Sequence, residues 1–587
     1  MCVRKRRWLG TVGLGVLLCS PYLTTGKAFA QEAQPKNADR ISGMVINSVT
    51  HEPIGRALVD SMDNRFATMT DSYGRFEFII PQADAGQSPA SAMGAPISVG
   101  ANLRPYALSA RKPGFLNDAN DPYRTMERVP AGSDVVISLV PEALIVGHIS
   151  LPTSEPPDSI QVELYVLQMR EGRAHWASAG MQASRSNGEF RFAGLAAGTY
   201  KLLTHELMDN DPQTVAPGGQ AYGYAPVYYP GAGDFASAAT LQLTPGKTED
   251  VKLSLVKQPY FPIRVPVTNA PPGTQLSIKV AVQGRDGPGF ELGYNSEEQV
   301  IEGTLPNGSY RLEAASYGPN VVSGAANIMV RGPLQGPILP VVTTSAINVQ
   351  VKEEFTSREN PGTGSATGVV GRINRQRPGR DVMVMLEPAD DFGLQRGASS
   401  RPPSGSSDGP LLVEQVVPGR YWVRVQAGRG YASSVTSGGM DLQHHPLVVP
   451  TGGSAPAIEV TLRDDVAVIE GTIEGANSLS RPSTLVSPAP EGQAGPAASA
   501  AAGHVYCIPL PDSPGRYSEA EVSPEGKFTL SFLPPGDYRL LAFRRRQPDL
   551  AYENSEAMRV YDGKGTVVRL NAGQTEHVQL PLITTSE

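Results

Sequence analysis

Metal-dependent catalysis by this protein would require histidine side chains as metal ligands. A zinc peptidase needs imidazole and carboxylate ligands that converge on one metal ion. The chain has eight histidines, but none has Glu three residues later and no His-Glu-x-x-His motif occurs. His444 and His445 are adjacent, and neighbouring residues of a strand point to opposite faces, which opposes shared chelation. The sequence therefore predicts no metal centre at the histidines.

Two further patterns resemble catalytic or metal-binding motifs in composition alone. Gly405-Ser406-Ser407-Asp408-Gly409 matches Gly-x-Ser-x-Gly, but its surroundings lack the strand and helix that a nucleophile elbow requires. Asp209-Asn210-Asp211 and Asp118-Ala119-Asn120-Asp121 group oxygen ligands that calcium could use, although neither completes a calcium-loop pattern. Asp and Asn are also ordinary turn residues. We therefore predict no catalytic residue and no cofactor, and leave calcium at these aspartates open.

The segment from Tyr222 to Pro230 best fits a binding surface. It reads Tyr-Gly-Tyr-Ala-Pro-Val-Tyr-Tyr-Pro, and its four tyrosines are Tyr222, Tyr224, Tyr228 and Tyr229. Because Gly and Pro interrupt the segment, we predict a loop. Exposed aromatic rings with polar edges can stack on sugars or anchor a protein partner. The same rings could instead cover an open end of their domain, or its contact with a neighbour.

The first thirty residues predict export. Arg4-Lys5-Arg6-Arg7 is a basic head, and the stretch from Trp8 to Leu23 is mostly apolar. Ala28-Phe29-Ala30 then offers the small residues that a signal peptidase recognises, so we expect cleavage before Gln31. Retention of the segment as an anchor stays open. No later segment has eighteen consecutive apolar residues, so we predict no transmembrane segment after cleavage.

The net charge limits the kind of partner, and the number of cysteines limits how the fold is stabilised. The first thirty residues carry five of the 50 basic and none of the 57 acidic residues, so the remainder has a net charge of −12. An acidic surface opposes the binding of nucleic acid, which depends on neutralising phosphates. Cys507 is the one cysteine beyond residue 30. An internal disulfide is therefore excluded, and hydrophobic cores must supply the stability.

One pattern of apolar residues, Gly and Tyr occurs four times. LAAGTYKL begins at Leu195, LPNGSYRL at Leu305, VVPGRYWV at Val416 and LPPGDYRL at Leu533. Glycine tolerates positive φ and so suits a tight corner, and side chains of the following strand alternate between two faces. We interpret each copy as part of a β-hairpin with one solvent face and one buried face. The Tyr ring is predicted to lie in the core, with its hydroxyl hydrogen-bonded.

Recurring opening and closing strands divide the chain into five units. Gly-x-[Val/Ile] openings occur at Gly43, Gly147, Gly371 and Gly471. Alternating apolar closing strands occur at Val135–Leu139, Val251–Leu255, Ile347–Val351, Ile458–Leu462 and Val578–Leu582. Gly and Pro supply 62 and 52 of the 587 residues, which suits many short strands joined by turns. We therefore predict an all-β protein, a tandem array of about five immunoglobulin-like or transthyretin-like β-sandwich domains after a signal peptide.

These markers give explicit boundaries. We predict a signal peptide at 1–30, a disordered lead at 31–39, sandwiches at 40–141, 142–257 and 258–352, a linker at 353–366, and sandwiches at 367–464 and 465–587.

A longer set of motif residues fills the first unit. It comprises Gly43-x-Val45, Pro53-Ile54-x-x-Ala57-x-Val59, Thr68-x-Thr70-Asp71-x-x-Gly74-x-Phe76-x-Phe78 and Tyr106-x-Leu108-x-Ala110-x-Lys112-Pro113-Gly114-Phe115. This set resembles the carboxypeptidase regulatory-like domain, a transthyretin-like (prealbumin-like) β-sandwich found in bacterial envelope proteins. The resemblance implies an accessory, non-catalytic module. A related sandwich, the starch-binding-like fold, binds carbohydrate, so contact with glycans is a further expectation.

We therefore predict an exported, non-enzymatic binding protein of the periplasm, cell envelope or exterior. The first hypothesis is carbohydrate or cell-surface binding through loops such as Tyr222 to Tyr229, with a polysaccharide or an envelope protein as partner. The alternative is a structural or interaction scaffold, or an accessory subunit of a separately encoded envelope enzyme or receptor.

Overall fold

The computed structural model confirms the all-β class. It describes residues 40–61, 65–79, 106–116, 127–129, 134–152, 159–209, 219–282, 285–318, 321–344, 346–356, 382–402, 409–451, 455–474, 503–511, 513, 515–523 and 525–583. These ranges contain 42 strands and one short α-helix. They form two compact units, the first from most residues up to Ser138, the second from Leu139 onward with the short segments 47–51 and 112–119. The predicted signal peptide, the lead, Ser407 of the Gly-x-Ser-x-Gly match, Asp118 to Asp121 and the opening at Gly371 lie outside the described residues.

The first sandwich has two sheets. Its strands are β1 (Arg40–Asn47), β2 (Leu58–Ser61), β3 (Ala67–Met69), β4 (Arg75–Ile79), β5 (Tyr106–Arg111), β6 (Glu127–Val129) and β7 (Asp134–Leu139). One sheet has the order β4-β1-β7 and the other β3-β2-β5-β6. Strand β4 shows the alternation of its sequence, since Phe76 and Phe78 are buried while Arg75 and Glu77 are exposed.

The second sandwich is built from a three-stranded and a four-stranded sheet. The strands of this region are β8 (Ala143–Ser150), β9 (Gln161–Arg170), β10 (Arg173–Ala183), β11 (Glu189–Leu195), β12 (Gly198–Thr204), β13 (Leu207–Met208), β14 (Ala221–Tyr224), β15 (Leu241–Leu243) and β16 (Thr248–Ser254). The sheet orders are β11-β8-β16 and β10-β9-β12-β15. Opening strand β8 pairs antiparallel with β11 and parallel with closing strand β16. Ile145, Leu164, Phe190, Tyr200 and Leu253 belong to the buried core.

One sheet of the third sandwich includes two strands of the second region, β13 and β14. Its own strands are β17 (Lys257–Thr268), β18 (Ser277–Val282), β19 (Gly293–Asn295), β20 (Val300–Pro306), β21 (Gly308–Ala315), β22 (Val322–Val330), β23 (Leu334–Gln335), β24 (Leu339–Pro340) and β25 (Val342–Thr343). One sheet has the order β18-β21-β22-β25, and the other runs β13-β14-β17-β20-β19. Strands β13 and β14, which the sequence places in the second unit, therefore extend a sheet of the third.

The fourth sandwich corrects one predicted boundary. Its strands are β26 (Ile347–Glu354), β27 (Val382–Pro388), β28 (Ala398–Arg401), β29 (Leu411–Val413), β30 (Gly419–Ala427), β31 (Tyr431–Ser437), β32 (Met440–Asp441), β33 (Leu447–Val449) and β34 (Ile458–Arg463). Strand β26 was predicted to close the third unit, but it pairs parallel with β34 and antiparallel with β29. Ile347 and Val349 are buried in the fourth core.

The same finding limits the predicted linker. Glu353 and Glu354 belong to β26, so the linker does not begin at residue 353, and residues 357–366 lie outside the described ranges. An apolar strand between two sandwiches has the same alternation whichever sheet it joins. Tertiary pairing decides to which it belongs.

The fifth sandwich has hydrophobic residues on both sides of one sheet. Its elements are β35 (Ala467–Ile473), β36 (Gly503–Pro509), β37 (Ser518–Val522), β38 (Lys527–Leu533), β39 (Gly536–Phe543), α1 (Ser555–Met558), a 3-10 turn (Arg559–Tyr561), β40 (Thr566–Leu570), β41 (Thr575–Leu580) and β42 (Leu582–Ile583). The sheets have the orders β38-β35-β41 and β37-β36-β39-β40. Leu540 lies in the core between them. Leu541 and Phe543 instead pack with Leu550 and Met558, so the segment with the helix covers the outer side.

The repeated tyrosines are buried in four separate cores, as predicted. Tyr200, Tyr310, Tyr421 and Tyr538 are each at most 4% exposed. Each hydroxyl donates to the carbonyl oxygen four residues earlier, at 2.8 Å to Ala196, 3.0 Å to Pro306, 2.6 Å to Val417 and 2.7 Å to Pro534. The bond ties the strand to the corner that precedes it. The motif spacing is therefore the spacing that this hydrogen bond requires.

The motif glycines do not share one structural role. Gly198 and Gly308 are not among the glycines with positive φ, so the predicted left-handed corner is wrong at these two positions. A Cβ on Gly308 would instead lie 2.9 Å from the Tyr310 ring, closer than carbon atoms pack.

The predicted β-hairpin at the tyrosine corners is wrong. The strands before and after the corner, β11 and β12, β20 and β21, and β38 and β39, lie in different sheets. The corner therefore carries the chain from one sheet of the sandwich to the other.

The opening glycines pair with phenylalanines of an adjacent antiparallel strand, which in the second and fifth sandwiches is the strand that precedes the corner. Gly43 lies opposite Phe76, Gly147 opposite Phe190, and Gly471 opposite Phe528 in the antiparallel registers. A Cβ on these three glycines would lie 2.7, 2.1 and 2.3 Å from the facing ring. The ring thus occupies the space above a strand glycine. Two landmarks found separately in the sequence are one contact in the structure.

We expect Tyr421→Phe to destabilise the fourth sandwich by about 1–2 kcal/mol, because the Val417 carbonyl loses its buried donor. Burial raises the pKa of Tyr421 above its ordinary value. The unfolded chain therefore loses this proton near pH 10 while the folded chain keeps it, so stability should fall as the pH rises above about 10. Thermal unfolding followed by circular dichroism at pH 7 and pH 10.5 measures both effects. Tyr73→Phe, at a tyrosine that is 70% exposed, is the control, and equal melting curves for both variants would contradict the prediction.

Candidate functional site

The four-stranded sheet of the second sandwich is buried on both faces. Val162, Leu164 and Leu202 face the core of the sandwich. On the other side, Tyr165 and Leu203 pack with residues of the segment that follows the tyrosine-rich stretch. We name this group the outer-face cluster; it contains Tyr165, Leu203, Tyr228, Phe235 and Ala238, with Trp176, Ala232 and Phe392 at its margin. The prediction that one face of the strand after the tyrosine corner is exposed to solvent is therefore wrong for β12 of the second sandwich.

Lys201 shows how the outer face is covered. The alternation of the sequence places Lys201 on the solvent side of β12, yet only 6% of its surface is exposed. Its Nζ donates to the carbonyl oxygens of Phe235 at 2.7 Å and Ala236 at 3.1 Å, and lies 4.9 Å from the Phe235 ring centroid. Burial lowers the pKa of Lys201, and the negative charge of Asp234 partly opposes this. The ammonium group thus fastens the covering segment to the sheet.

The four predicted ligand-binding tyrosines do not form one exposed surface. Tyr222 and Tyr224 lie in strand β14, so the predicted loop is wrong for Ala221–Tyr224. Tyr224 and Tyr228 are 6% and 3% exposed, whereas Tyr222 is 38% exposed. Tyr229 is partly buried against the core of the second sandwich. Ligand binding by these residues stays a prediction, with Tyr222 as the most accessible ring.

The fourth sandwich inserts a phenylalanine into the outer-face cluster. The ring centroid of Phe392 lies 4.7 Å from that of Phe235 and 5.4 Å from that of Tyr165, both in edge-on geometry. The preceding residue, Asp391, places one carboxylate oxygen 2.7 Å from His175 Nδ1 and accepts from the Trp176 amide at 2.9 Å with the other. Two sandwiches that are not consecutive in the chain are therefore in direct contact.

Charged residues at the tip of the β9–β10 hairpin contact the fourth sandwich. The Arg173 guanidinium lies 3.7 Å from the Trp422 ring centroid. Nη1 of Arg424 lies 2.8 Å from a carboxylate oxygen of Glu171. A guanidinium stacked on an indole and a charge-assisted hydrogen bond both orient the partners.

The same hairpin contacts the fifth sandwich. Nη2 of Arg173 lies 3.0 Å from Glu553, and the Tyr552 hydroxyl donates to Glu171 at 3.2 Å. Gly172 has φ +71°, and a Cβ there would lie 2.6 Å from the Tyr552 ring. Tyr552 in turn stacks on Tyr517, with ring centroids 3.9 Å apart. A glycine is thus required at the tip of this hairpin by both its backbone and its neighbour.

The third sandwich meets the second beside the covering segment. The Tyr228 hydroxyl donates to the Pro288 carbonyl, and Arg285 forms an ion pair with Asp234. A Cβ on Gly287 would lie 3.0 Å from Phe235. Tyr228 therefore serves as a contact between sandwiches, which is the structural alternative that the sequence left open.

A buried ion pair lies on the outer face near these contacts. Glu163 accepts from Ser178 Oγ at 2.7 Å and lies 2.9 Å from His205 Nε2. Burial acts to raise the pKa of Glu163, but the hydrogen bonds from His205, Ser178 and Tyr165 outweigh it and lower that pKa. The hydrogen bond to Glu163 raises the pKa of His205 against the effect of burial. The arrangement is a satisfied charge pair that joins neighbouring strands.

Glu206 is a half-buried acid with one weak hydrogen bond. One carboxylate oxygen accepts from the Glu291 amide at 3.4 Å, and the other is buried without a partner among the described residues. Burial raises the pKa of Glu206 to about 7. The fully buried Tyr260 hydroxyl also has no partner in the described part of the chain. The sequence carries no signal for this cluster, because its members come from strands and turns of two sandwiches.

The residues that could have held a metal are dispersed or paired locally. His444 Nδ1 lies 2.6 Å from Asp441 Oδ2, and Asp209 forms an ion pair with Lys257. Within the described ranges, no group of three or more His, Cys, Asp or Glu side chains could hold a metal ion. Cys507 is buried in the fifth core, and burial raises the pKa of its thiol. Among the described residues, no helix is long and apolar enough to cross a membrane.

Comparison with known proteins assigns no family. No family model matches the chain, and no curated protein matches it. The Bacillus anthracis TIE protein shares 12% identity with it over 51% of this chain and 49% of that one, with a TM-score of 0.14. This chain thus spans about half the length of that protein.

Two pilin structures give similarly low scores. GBS52, the minor pilin of Streptococcus agalactiae, shares 14% identity over 40% of this chain and 98% of its own, with a TM-score of 0.17. BcpA, the major pilin subunit of Bacillus cereus, shares 10% identity over 75% and 99% of the two chains, with a TM-score of 0.12. Scores of this size carry no argument about function, and the resemblance to the carboxypeptidase regulatory-like domain stays a prediction.

We expect Glu206→Gln to stabilise the protein at pH 8 by on the order of 1 kcal/mol and to have little effect at pH 5. The folded pKa of about 7 exceeds the unfolded value of about 4.3, so ionisation costs folding free energy as the pH rises through this interval. Gln stays neutral at both pH values and retains an oxygen for the Glu291 amide. Melting temperatures at the two pH values measure the difference.

Glu474→Gln is the matched control for this prediction, since Glu474 is exposed. A Glu206→Gln effect of equal size at pH 5 and pH 8 would show that ionisation is not the cause.

Proposed function

We propose that this chain is an exported, non-enzymatic structural protein that holds several β-sandwiches in fixed relative orientation as a scaffold for other envelope components. The observation that carries the proposal is Phe392 of the fourth sandwich, which packs against both Tyr165 and Phe235 of the second. Independent modules on flexible linkers need no such contact. An aromatic side chain inserted into a neighbouring sheet face restrains the motion of both.

The second sandwich is the centre of this arrangement. Besides Phe392, it receives Pro288 and Arg285 from the third sandwich, and Tyr552 and Glu553 from the fifth. Its outer sheet face, which would otherwise present Tyr165 and Leu203 to solvent, is covered by Phe392 and by its own segment with Tyr228, Phe235 and Ala238. Aromatic residues that could have served a ligand are thus used to join domains.

Export and the lack of catalysis rest on the sequence. The basic, apolar and small-residue segments of the first thirty residues are typical of a signal peptide. The chain has no zinc-peptidase motif, and its Gly-x-Ser-x-Gly match lacks the context of a nucleophile elbow. A scaffold needs neither an acid–base pair nor a metal.

Carbohydrate or cell-surface binding through the tyrosine-rich segment is the second candidate function. Tyr222 favours it, because its ring is 38% exposed and lies 5.7 Å from Lys257 Nζ. A polysaccharide pull-down of the chain and of Tyr222→Ala tests this candidate. Retention that is lost in the variant would support it, and equal retention by both would exclude Tyr222 from the binding site.

We expect Phe392→Ala to loosen the contact between the second and fourth sandwiches while leaving their cores folded. The lost ring contacts are worth roughly 1–3 kcal/mol for a partly buried aromatic residue. Small-angle X-ray scattering should show a larger radius of gyration, and hydrogen exchange should rise around Trp176 and Tyr165. The circular dichroism spectrum should stay that of the parent chain.

Phe532→Ala is the matched control, because Phe532 is 73% exposed in the fifth sandwich and its loss should change neither measurement. Unchanged scattering and exchange in Phe392→Ala would contradict the scaffold proposal.

A further inference from the structure

A cleft of about 260 Å³ lies between the third and fourth sandwiches. Strands β18, β21 and β22 supply Lys279, Arg311, Glu313 and Ser323 on one side. The turn after β27 and the residues before β30 supply Asp390, Gln395 and Pro418 on the other. We name it the third–fourth cleft. Its walls come from two sandwiches, and ligand sites are commonly found at such domain boundaries.

The charges of the cleft are paired with one another. Lys279 Nζ lies 2.9 Å from Asp286 Oδ1 and 3.6 Å from Glu313 Oε2, and its side chain is only 9% exposed. Arg311 Nε donates to Glu313 Oε1 at 2.9 Å, and Asp390 forms an ion pair with Arg420. Donors and acceptors therefore alternate along the walls without an excess of either sign. A ligand with a full net charge would upset this balance.

Two polar groups of the walls have unused hydrogen-bonding capacity. Ser323 Oγ and Gln395 Oε1 are buried and have no partner among the described residues. Gln395 is oriented by its own amide nitrogen, which donates to the Pro418 carbonyl at 3.0 Å. An unpaired buried polar atom is unfavourable, so a hydroxyl group in the cleft would be attracted to either side chain.

We propose that the third–fourth cleft binds one residue of a neutral sugar. Sugar hydroxyls both donate and accept, so they can bind beside a carboxylate and an ammonium group without adding charge. The cleft has room for a single small polar ligand rather than for an extended chain. The site contains neither Tyr222 nor Phe392, although the turn that carries Phe392 also supplies Asp390 and Gln395 to the cleft, and it does not require the scaffold function.

Binding would also couple the two sandwiches that form the cleft. A ligand that contacts Glu313 and Ser323 on one side and Asp390 or Gln395 on the other stabilises the folded arrangement of both. The melting temperature of the chain should therefore rise with the concentration of the sugar.

Isothermal titration calorimetry and thermal unfolding of the full chain with glucose, galactose and N-acetylglucosamine test the proposal. Inorganic phosphate is the charged probe. We expect saturable binding of at least one sugar with a dissociation constant on the order of 1 mM, a scale suited to a ligand with few contacts. Phosphate should give no saturable signal. The absence of binding by all three sugars at concentrations on the order of 10 mM, or binding of phosphate alone, would overturn the proposal.

Two variants locate the site. Ser323→Ala should weaken sugar binding by about tenfold without lowering the melting temperature of the free protein, because it removes an unpaired hydroxyl. Glu313→Gln should also weaken binding by about tenfold, by removing an accepting charge. Glu249→Gln is the matched control, since its carboxylate lies 2.7 Å from Lys247 on the second sandwich, away from the cleft.

The results separate this site from the other proposals. Binding that survives Ser323→Ala and Glu313→Gln, or that is lost in Tyr222→Ala, would place the sugar elsewhere and overturn the assignment to the cleft. The scattering change expected for Phe392→Ala does not depend on sugar, so failure of one proposal is distinguishable from failure of the other.

Discussion

In four sandwiches of this protein, a buried tyrosine hydroxyl donates to the carbonyl oxygen of the residue four positions earlier. The ring fills the core while the hydroxyl satisfies a carbonyl at the corner. This one bond fixes where the chain turns and which face of the next strand is buried. The same orientation sets which face of the strand points away from the core, and this outer face is the one available for contacts between sandwiches.

The second sandwich shows what happens when both faces of a strand are used. In β12, Tyr200 and Leu202 belong to the core while Leu203 belongs to the outer-face cluster. Lys201 lies between them and is satisfied by two carbonyl groups of the covering segment. The strand thus links the interior of its own domain to the surface that receives Phe392. A buried sheet face of this kind is typical of domains that pack against neighbours rather than of isolated modules.

The contacts between sandwiches differ in character. The contact between the second and fourth is aromatic at its centre and bounded by the His175–Asp391 pair. The contact between the third and fourth leaves a cleft whose walls are charged and whose Ser323 hydroxyl has no partner within the described ranges. The first is suited to rigidity and the second to a small polar ligand. A scaffold with an internal ligand site would join both properties in one chain.

The sequence by itself determined the all-β class and the four corner tyrosines in separate cores. It also supplied the opening glycines and Phe76, Phe190 and Phe528 as separate landmarks, because local alternation and short motifs are sufficient to reveal them. The contact between each glycine and its phenylalanine required the pairing of strands far apart in the chain. The sequence also led to Tyr222, Tyr224, Tyr228 and Tyr229, but a run of aromatic residues looks the same whether solvent or a neighbour covers it.

Only the tertiary structure decided that β26 joins the fourth sandwich, that β14 extends a sheet of the third, and that Lys201 is buried. It also brought Phe392 to Tyr165 and Asp390 to the cleft beside Glu313. Each of these outcomes depends on contacts between residues far apart in the chain. Side-chain alternation specifies that a strand has two faces, but the identity of the partner on each face is set by packing between domains.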